Sequence, residues 1–272
     1  MSQTTPRALT LCADDFGQSH TINQGILTLL ALKRLGAVSV MAQGPAWPSS
    51  APALNEHRQT ADIGLHLNLT HRFAVGDYAR PLTVWLLSAP LGWVDRNAVR
   101  DAYRRQLDLF VKYMGCLPDY LDGHQHVHAF PSIRAVLAEV VAEYWQHAPR
   151  PWVRAPDQLN DDGNVPFKAW VLRSASRGFT DFLKGAGLRH NAGFAGLYAL
   201  TPQANFAVLM QGWLRHLPSH TLIMVHPGEA SEDANDPIHA ARIAELDYLR
   251  SEHFGQQLQA TEVRLSRLGF ID

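Results

Sequence analysis

Short apolar runs that end in chemically active side chains recur along this chain, and this pattern constrains its fold more than any other feature. Four of them read LTLCADD (9–15), IGLHLN (63–68), YLDGHQHVH (120–128) and LIMVHPGE (222–229), and a fifth reads WVRAP (152–156). The carboxyl ends of parallel strands share one face of a (β/α) barrel, where active sites are built. We therefore expect the polar ends of these runs to converge.

Helical stretches separate the apolar runs, which predicts strand–helix units and a parallel sheet. Predicted strands cover residues 9–13, 37–41, 63–69, 120–122, 152–154, 221–225 and 262–265. Predicted helices cover residues 21–35, 52–58, 98–114, a segment opening at 131, and 237–253. Residues 71–95 read as a loop, and 156–200 as further loops. We expect one domain over 1–272, an α/β fold of the distorted TIM-like (β/α) barrel type, with an open doubly wound sheet as the alternative.

Composition excludes several classes of protein. The formal net charge is −1, so no overall field attracts the chain to nucleic acid or to anionic lipid. The sequence has no run of 18 apolar residues, the length that would predict a membrane span. Two distant cysteines, Cys12 and Cys116, indicate a reducing compartment rather than a disulfide framework. With no signal-peptide core after the polar first residues, we expect a cytoplasmic location.

Asp14, Asp15 and His66 each allow two interpretations. The Asp pair could be a turn followed by a helix cap, or one carboxylate could bind a divalent cation while its neighbour acts as a base. His66 lies on the polar face of a strand whose other face is apolar. A histidine at such a position is either structural or a metal ligand.

Residues 122–128 carry the strongest local signal. In an extended chain alternate residues share a face, so Asp122, His124, His126 and His128 are expected to point the same way. Three imidazoles on one edge are costly to bury unless they bind a metal ion or share hydrogen-bond partners. The spacing does not decide which histidine binds the metal.

His226 ends a buried apolar run immediately before Pro227 and Gly228. This is either a plain strand-ending turn or the place of a general acid that protonates a leaving amine. The aromatic residues of segment 71–95, Tyr78, Trp85 and Trp93, either cover the core or offer flat faces to sugar rings.

Together these segments resemble the YdjC-like carbohydrate deacetylases, which include chitooligosaccharide deacetylases and a hopanoid-linked N-acetylglucosamine deacetylase. The resemblance covers nearly the whole chain. It rests on four motifs in order: ADDFG (13–17), GLHLNL (64–69), LDGHQHVH (121–128) and HPGE (226–229). It implies a distorted (β/α) barrel that holds a divalent ion, Mg²⁺ or Zn²⁺.

The resemblance also implies roles for individual residues. Asp15, His66 and His124 are the implied metal ligands, Asp14 the general base and His226 the general acid. Arg154 begins an Arg-Ala-Pro segment similar to the Arg-x-Pro element that steadies the base in NodB-type deacetylases. His126 and His128 are expected to orient the ligands or to face the substrate.

The predicted function is therefore removal of the acetyl group from an N-acetylglucosamine-containing sugar or glycolipid, and the interpretation allows a homodimer. Ligand softness favours zinc, whereas the resemblance often implies magnesium. One alternative is another metal-dependent barrel hydrolase, acting on a phosphoester or a cyclic amide. The other is a non-catalytic sugar- or metal-binding protein. A Rossmann-type dehydrogenase is disfavoured because no G-x-G-x-x-G follows the first strand.

Overall fold

The computed structural model describes residues 6–201, 203–230 and 236–268. Its strands within these residues are β1 (Arg7–Phe16), β2 (Ala37–Val40), β3 (Asp62–Leu67), β4 (Tyr120–Gly123), β5 (Trp152–Val153), β6 (Gly193–Ala195), β7 (Thr221–Val225) and β8 (Val263–Leu265). The helices before residue 150 are α1 (His20–Ala31), α2 (Trp47–Asn55), α3 (Leu82–Ser88), α4 (Arg96–Met114) and α5 (Pro131–Tyr144). Those after it are α6 (Pro166–Ala175), α7 (Phe179–Gly185), α8 (Phe206–His216), α9 (His239–Arg250) and α10 (Glu252–Ala260).

The strands form a parallel sheet that curves into a distorted barrel, as predicted. Seven of them follow the order β5-β4-β3-β2-β1-β7-β6, and β8 pairs with the start of β1. Isolated bridges continue the pairing across the seam between β5 and β6, joining Val153 to His190 and Leu159 to Phe194. The seam is irregular because β5 and β6 have only two and three residues.

Burial on both faces explains the near-continuous apolar strands. All six residues of β3 and all five of β7 are buried, as expected where helices cover a parallel sheet. Gly64 has a specific role in β3, because a side-chain carbon there would lie 2.4 Å from the ring of Tyr120. That ring instead crosses the space and stacks on Trp152 at 4.0 Å between ring centroids.

Segment 71–95 is not entirely a loop, which corrects the sequence prediction. It contains α3, whose Trp85 is buried and donates its indole N–H to the carbonyl of Leu69 at 2.9 Å. Leu87 of the same helix is 72% exposed, so the short helix lacks the apolar periodicity that would identify it. Trp93 is 76% exposed. Trp85 thus covers the core, and Trp93 does not.

Two further predictions were wrong in the carboxyl-terminal half. Segment 156–200 contains α6, α7 and β6, which are short elements with weak patterns. The single helix predicted over 237–253 is two helices that meet at Ser251. The hydroxyl of Ser251 accepts the backbone N–H of Phe254 and caps α10, which ends the first helix. Within the described residues, every helix is too short or too polar to span a bilayer.

Candidate active site

The carboxyl ends of five strands bring the predicted site residues together. Three of these residues lie within β1 or β3: Asp14, Asp15 and His66. The other three directly follow β4, β5 and β7: His124, Arg154 and His226. All except His124 are at least nine-tenths buried, and the side chain of His124 is 22% exposed. The convergence expected from the strand-end pattern is therefore present.

Asp15, His66 and His124 have the geometry of a metal-ligand set. Oδ1 of Asp15 lies 3.7 Å from Nε2 of His66 and 3.3 Å from Nδ1 of His124, and the ligand atoms all lie within 4.8 Å of one another. This buried Oδ1 has no hydrogen-bond partner among the described residues. A bare buried carboxylate oxygen facing two imidazoles is chemically suited to a divalent cation such as zinc.

A bulge in β1 explains how two adjacent carboxylates both reach the site. Successive strand residues normally point to opposite faces. The register of β1 against β2 shifts between Ala13 and Phe16, and Asp15 has a left-handed backbone with φ of 71°. Bulges re-aim side chains next to active sites. Asp14 and Asp15 are thereby directed to different partners within one site.

Arg154 holds both oxygens of Asp14. Its two terminal nitrogens donate to Oδ2 at 2.7 Å and to Oδ1 at 2.6 Å, and the arginine is fully buried. Burial alone would raise the pKa of Asp14, but the guanidinium of Arg154 outweighs burial and holds that pKa well below its usual range. Asp14 is thus an ionised carboxylate with a fixed orientation.

Asp122 joins this arginine to the ligand set, a link that sequence reasoning did not find. Its Oδ1 lies 2.7 Å from Nδ1 of His66, and its Oδ2 lies 2.6 Å from Nη2 of Arg154 and accepts the hydroxyl of Ser39 at 2.6 Å. With Nδ1 of His66 held by a carboxylate, the other ring nitrogen faces Asp15. Carboxylates commonly orient metal-binding histidines in this way.

Arg154 also lies within a second cluster of possible metal ligands. Cys12, Asp14 and Asp122 lie close enough to hold an ion. However, Nη2 of Arg154 lies 2.9 Å from Sγ of Cys12 and 2.6 Å from one oxygen of each aspartate. The guanidinium already supplies the positive charge at this place, so a metal ion does not fit there.

The histidines after Gly123 do not share a face, which corrects the extended-chain prediction. Gln125 and His126 have left-handed backbones with φ of 53° and 59°, so the chain turns into a short 3-10 helix. His124 reaches Asp15, whereas His126 packs edge-on against Phe194. His128 is hydrogen-bonded through Nε2 to the carbonyl of Arg154 at 2.8 Å. His128 therefore supports the arginine.

His226 lies at the end of β7 with an unsatisfied ring nitrogen. Its buried Nδ1 has no hydrogen-bond partner in the part of the chain that the structure describes. Burial lowers the pKa of His226 to about 4, although Asp15 and Asp14 act in the opposite direction. The imidazole is therefore neutral at pH 7 in the metal-free site.

Glu245 of α9 lies beside His226. It is fully buried, accepts the hydroxyl of Tyr198 at 2.5 Å and the backbone N–H of His226, and its Oε1 lies 4.0 Å from Nδ1 of His226. Burial raises the pKa of Glu245 to about 7, despite these hydrogen bonds.

Arg242, one turn earlier on α9, contacts Asp15. Its Nη2 donates to Oδ2 of Asp15 at 2.8 Å, and its Nε donates to Asp236 at 2.7 Å. Sequence reasoning missed both Arg242 and Glu245. Their positions in the sequence could have identified them. Arg242, Glu245 and Leu249 are three and four residues apart, which places two charged residues on the buried face of a predicted helix. Charges on such a face are costly unless they are paired or functional.

Residues 8–260 match the sequence model of the family described as "YdjC-like protein". The chain therefore belongs to the YdjC-like family. It is similar to the carbohydrate deacetylase of Homo sapiens, with 28% identity over 256 residues that cover 82% of this chain and 75% of that protein. It is also similar to the chitooligosaccharide deacetylase of Serratia marcescens, with 31% identity over 136 residues, 47% of this chain and 53% of that protein.

A solved structure supports the fold. A protein from Enterococcus faecalis, named for cellobiose-phosphate cleavage, superposes with a TM-score of 0.74 at 16% identity and covers 97% of this chain and 98% of its own. An uncharacterized protein from Agrobacterium tumefaciens gives a TM-score of 0.54 at 13% identity, covering 99% of this chain and 89% of its own. At such low identity these likenesses establish the architecture alone.

Proposed function

We propose that this chain is a metal-dependent hydrolase that removes the acetyl group from an N-acetylglucosamine-containing sugar or glycoconjugate, with residues 1–272 acting as one catalytic domain. One observation carries the proposal: an ionised carboxylate, Asp14, lies beside the ligand set of Asp15, His66 and His124. Its Oδ2 is 3.9 Å from Nε2 of His66. Membership of the family and the names of its relatives supply the reaction class.

Asp15, His66 and His124 would hold the ion. When bound, a divalent ion polarises the acetyl carbonyl and lowers the pKa of water. Two imidazoles and one carboxylate suit zinc better than magnesium, which prefers oxygen ligands. Asp122 fixes the ring of His66 through Nδ1, so that Nε2 would be the atom available to the ion.

Asp14 is the proposed general base. Its carboxylate is ionised across the neutral range because Arg154 donates to both oxygens. Those two hydrogen bonds fix its orientation beside His66, one of the proposed metal ligands. His128 supports the arrangement, since it bonds to the carbonyl of Arg154. In the proposed role Asp14 accepts the proton that the attacking water loses through an oxygen lone pair that Arg154 does not use.

His226 is the proposed general acid. The leaving sugar amine needs a proton, and the resting imidazole is neutral because burial lowers its pKa to about 4. The proton that reaches the amine through His226 is therefore one released during the reaction. In this scheme Asp14 passes on to His226 the proton that it takes from the attacking water, and His226 donates it to the departing nitrogen. The second water proton leaves with the acetic acid and is taken up by the free amine, so the products are acetate and the protonated amine.

Acetate release tests the proposal. The metal-free protein, reloaded with Zn²⁺ or Mg²⁺, is assayed on N-acetylglucosamine, chitobiose, their phosphates and a glycolipid mimic. We expect acetate from at least one acetamido sugar and its loss on chelation or in His66→Ala. Phosphate release from a phosphoester, with no acetate from any N-acetyl sugar, would assign a different barrel hydrolase. Sugar binding that is unchanged in Asp14→Asn and His226→Ala, with no turnover in wild type, would assign a binding protein.

A further inference from the structure

Each of the two adjacent carboxylates is held by its own arginine, but in a different way. Arg154 occupies both oxygens of Asp14, whereas Arg242 occupies only Oδ2 of Asp15. We propose that Arg242 is a positioning residue that restricts Asp15 to a single metal-facing oxygen and so sets which ions the site accepts. This inference rests on the ligand set proposed above.

The geometry holds Arg242 in place at both ends of its guanidinium. Nη2 donates to Asp15 at 2.8 Å and Nε donates to Asp236 at 2.7 Å, and the arginine is 3% exposed. With two carboxylates on one planar group, the side chain cannot rotate without breaking an ion pair. Arg242 therefore turns Oδ2 of Asp15 toward itself, and Oδ1 is the oxygen that faces His66 and His124.

Gly228 of the HPGE motif provides the path for this side chain. A side-chain carbon at Gly228 would lie 3.2 Å from Cδ and 3.4 Å from Cβ of Arg242. The backbone N–H of Gly228 also donates to the carbonyl of Arg242 at 3.2 Å. The glycine thus lets the turn after His226 pack directly on the arginine, which links that turn to the metal-facing carboxylate.

The chemical consequence concerns coordination number. A carboxylate that binds through both oxygens adds a ligand atom and favours ions that accept more oxygen ligands, whereas zinc prefers about four ligands. With Oδ2 held by Arg242, Asp15 offers one oxygen, and the protein supplies three ligand atoms. The positive charge of Arg242 weakens the binding of all divalent ions alike. The ratio of two affinities therefore isolates the effect of denticity from that of charge.

The test compares Mn²⁺ with Zn²⁺ in Arg242→Gln. Dissociation constants are measured for metal-free protein, by electron paramagnetic resonance of free Mn²⁺ and by chelator competition for Zn²⁺. We expect the ratio Kd(Mn²⁺)/Kd(Zn²⁺) to fall by about tenfold or more, the scale on which outer-shell partners act. A ratio within about threefold of wild type would overturn the inference, since outer-shell effects exceed that.

Three controls keep the result interpretable. Arg250→Gln removes an exposed arginine of the same helix, 43% exposed, and should leave the ratio unchanged. Arg242→Gln with Asp236→Asn also removes the charge of Asp236, the second carboxylate that Arg242 contacts. It keeps the test available if the single variant fails to fold, and circular dichroism verifies folding. Asp15→Ala should abolish binding of both ions. Retained binding there would refute the ligand set itself, whereas an unchanged ratio with Asp15 essential would refute only the role of Arg242.

Discussion

Asp14 and Asp15 are neighbours in sequence, yet their surroundings differ in a way that separates their chemistry. Both oxygens of Asp14 accept hydrogen bonds from Arg154, which is itself fully buried among further polar groups. Asp15 has one oxygen on Arg242 and one buried oxygen without a partner in the described part of the chain. Buried acceptors are usually satisfied, so this oxygen supports the ion proposed for the site. On the Asp14 side the charge is fixed by an arginine, and on the Asp15 side we propose that it is completed by a cation.

The largest expected effect breaks this comparison at Asp14. Asp14→Asn should keep metal and fold but lower turnover by about 10²–10⁴-fold, the usual contribution of a general base. Acetate release and metal content after dialysis measure the two properties separately. Asp247→Asn, an exposed aspartate of α9, is the matched control. Turnover within about threefold of wild type would remove Asp14 from the role of base, since general bases contribute far more.

Asp122→Asn should affect both sides, because Asp122 contacts His66 and Arg154. We expect zinc affinity to fall by about 10–100-fold, as for other outer-shell carboxylates. Turnover should also stay below wild type when zinc is saturating, because Arg154 loses one of its anchors. Titration with zinc followed by kcat at saturation measures both effects. Full kcat at saturation would restrict Asp122 to the metal side.

The pH dependence of stability tests the buried carboxyl next to His226. The folded pKa of Glu245, raised to about 7 by burial, exceeds its ordinary 4.5, so this group lowers the free energy of unfolding as pH rises from about 4.5 to 7. An amide mimics the protonated carboxyl, so Glu245→Gln should gain stability over wild type through this window, by on the order of 3 kcal/mol at its upper end. Urea unfolding of the metal-free proteins at several pH values measures this. A constant difference across the window would contradict the raised pKa.

Ser39→Ala should have the smallest effect on activity. Ser39 donates to Asp122 at 2.6 Å, accepts from Nη2 of Arg154 at 3.1 Å and lies 2.7 Å from the hydroxyl of Tyr120. It does not contact the ligand set. Loss of this buried partner should cost about 1–3 kcal/mol of stability and change kcat far less than Asp122→Asn does. Thermal unfolding and acetate release measure the two properties, with exposed Ser49→Ala as the control. A kcat as low as that of Asp122→Asn would show that Ser39 is as important as Asp122 for positioning Arg154 and His66.

The strand-end motifs could be read from sequence because they are local. β3 and β7 were predicted within two residues at each end, and β7 over its full range. The turn at Gln125 and His126 could not be predicted in the same way, since two left-handed residues that are not glycine are uncommon and have no sequence signature there. The divergence of His124, His126 and His128 follows from that turn.

The sequence by itself determined which chemical groups stand at the carboxyl ends of the strands, because strand pattern and parallel topology follow from local hydrophobicity and chain direction. Only the tertiary structure decided which arginine holds which carboxylate. Arg154 reaches Asp14 across 140 residues of sequence, and Arg242 reaches Asp15 across 227. Such pairings depend on barrel closure, on the bulge in β1 and on the space left by Gly228. The spacing of residues within a motif does not predict any of these features. Buried ion pairs between distant elements can therefore be identified only from the tertiary structure.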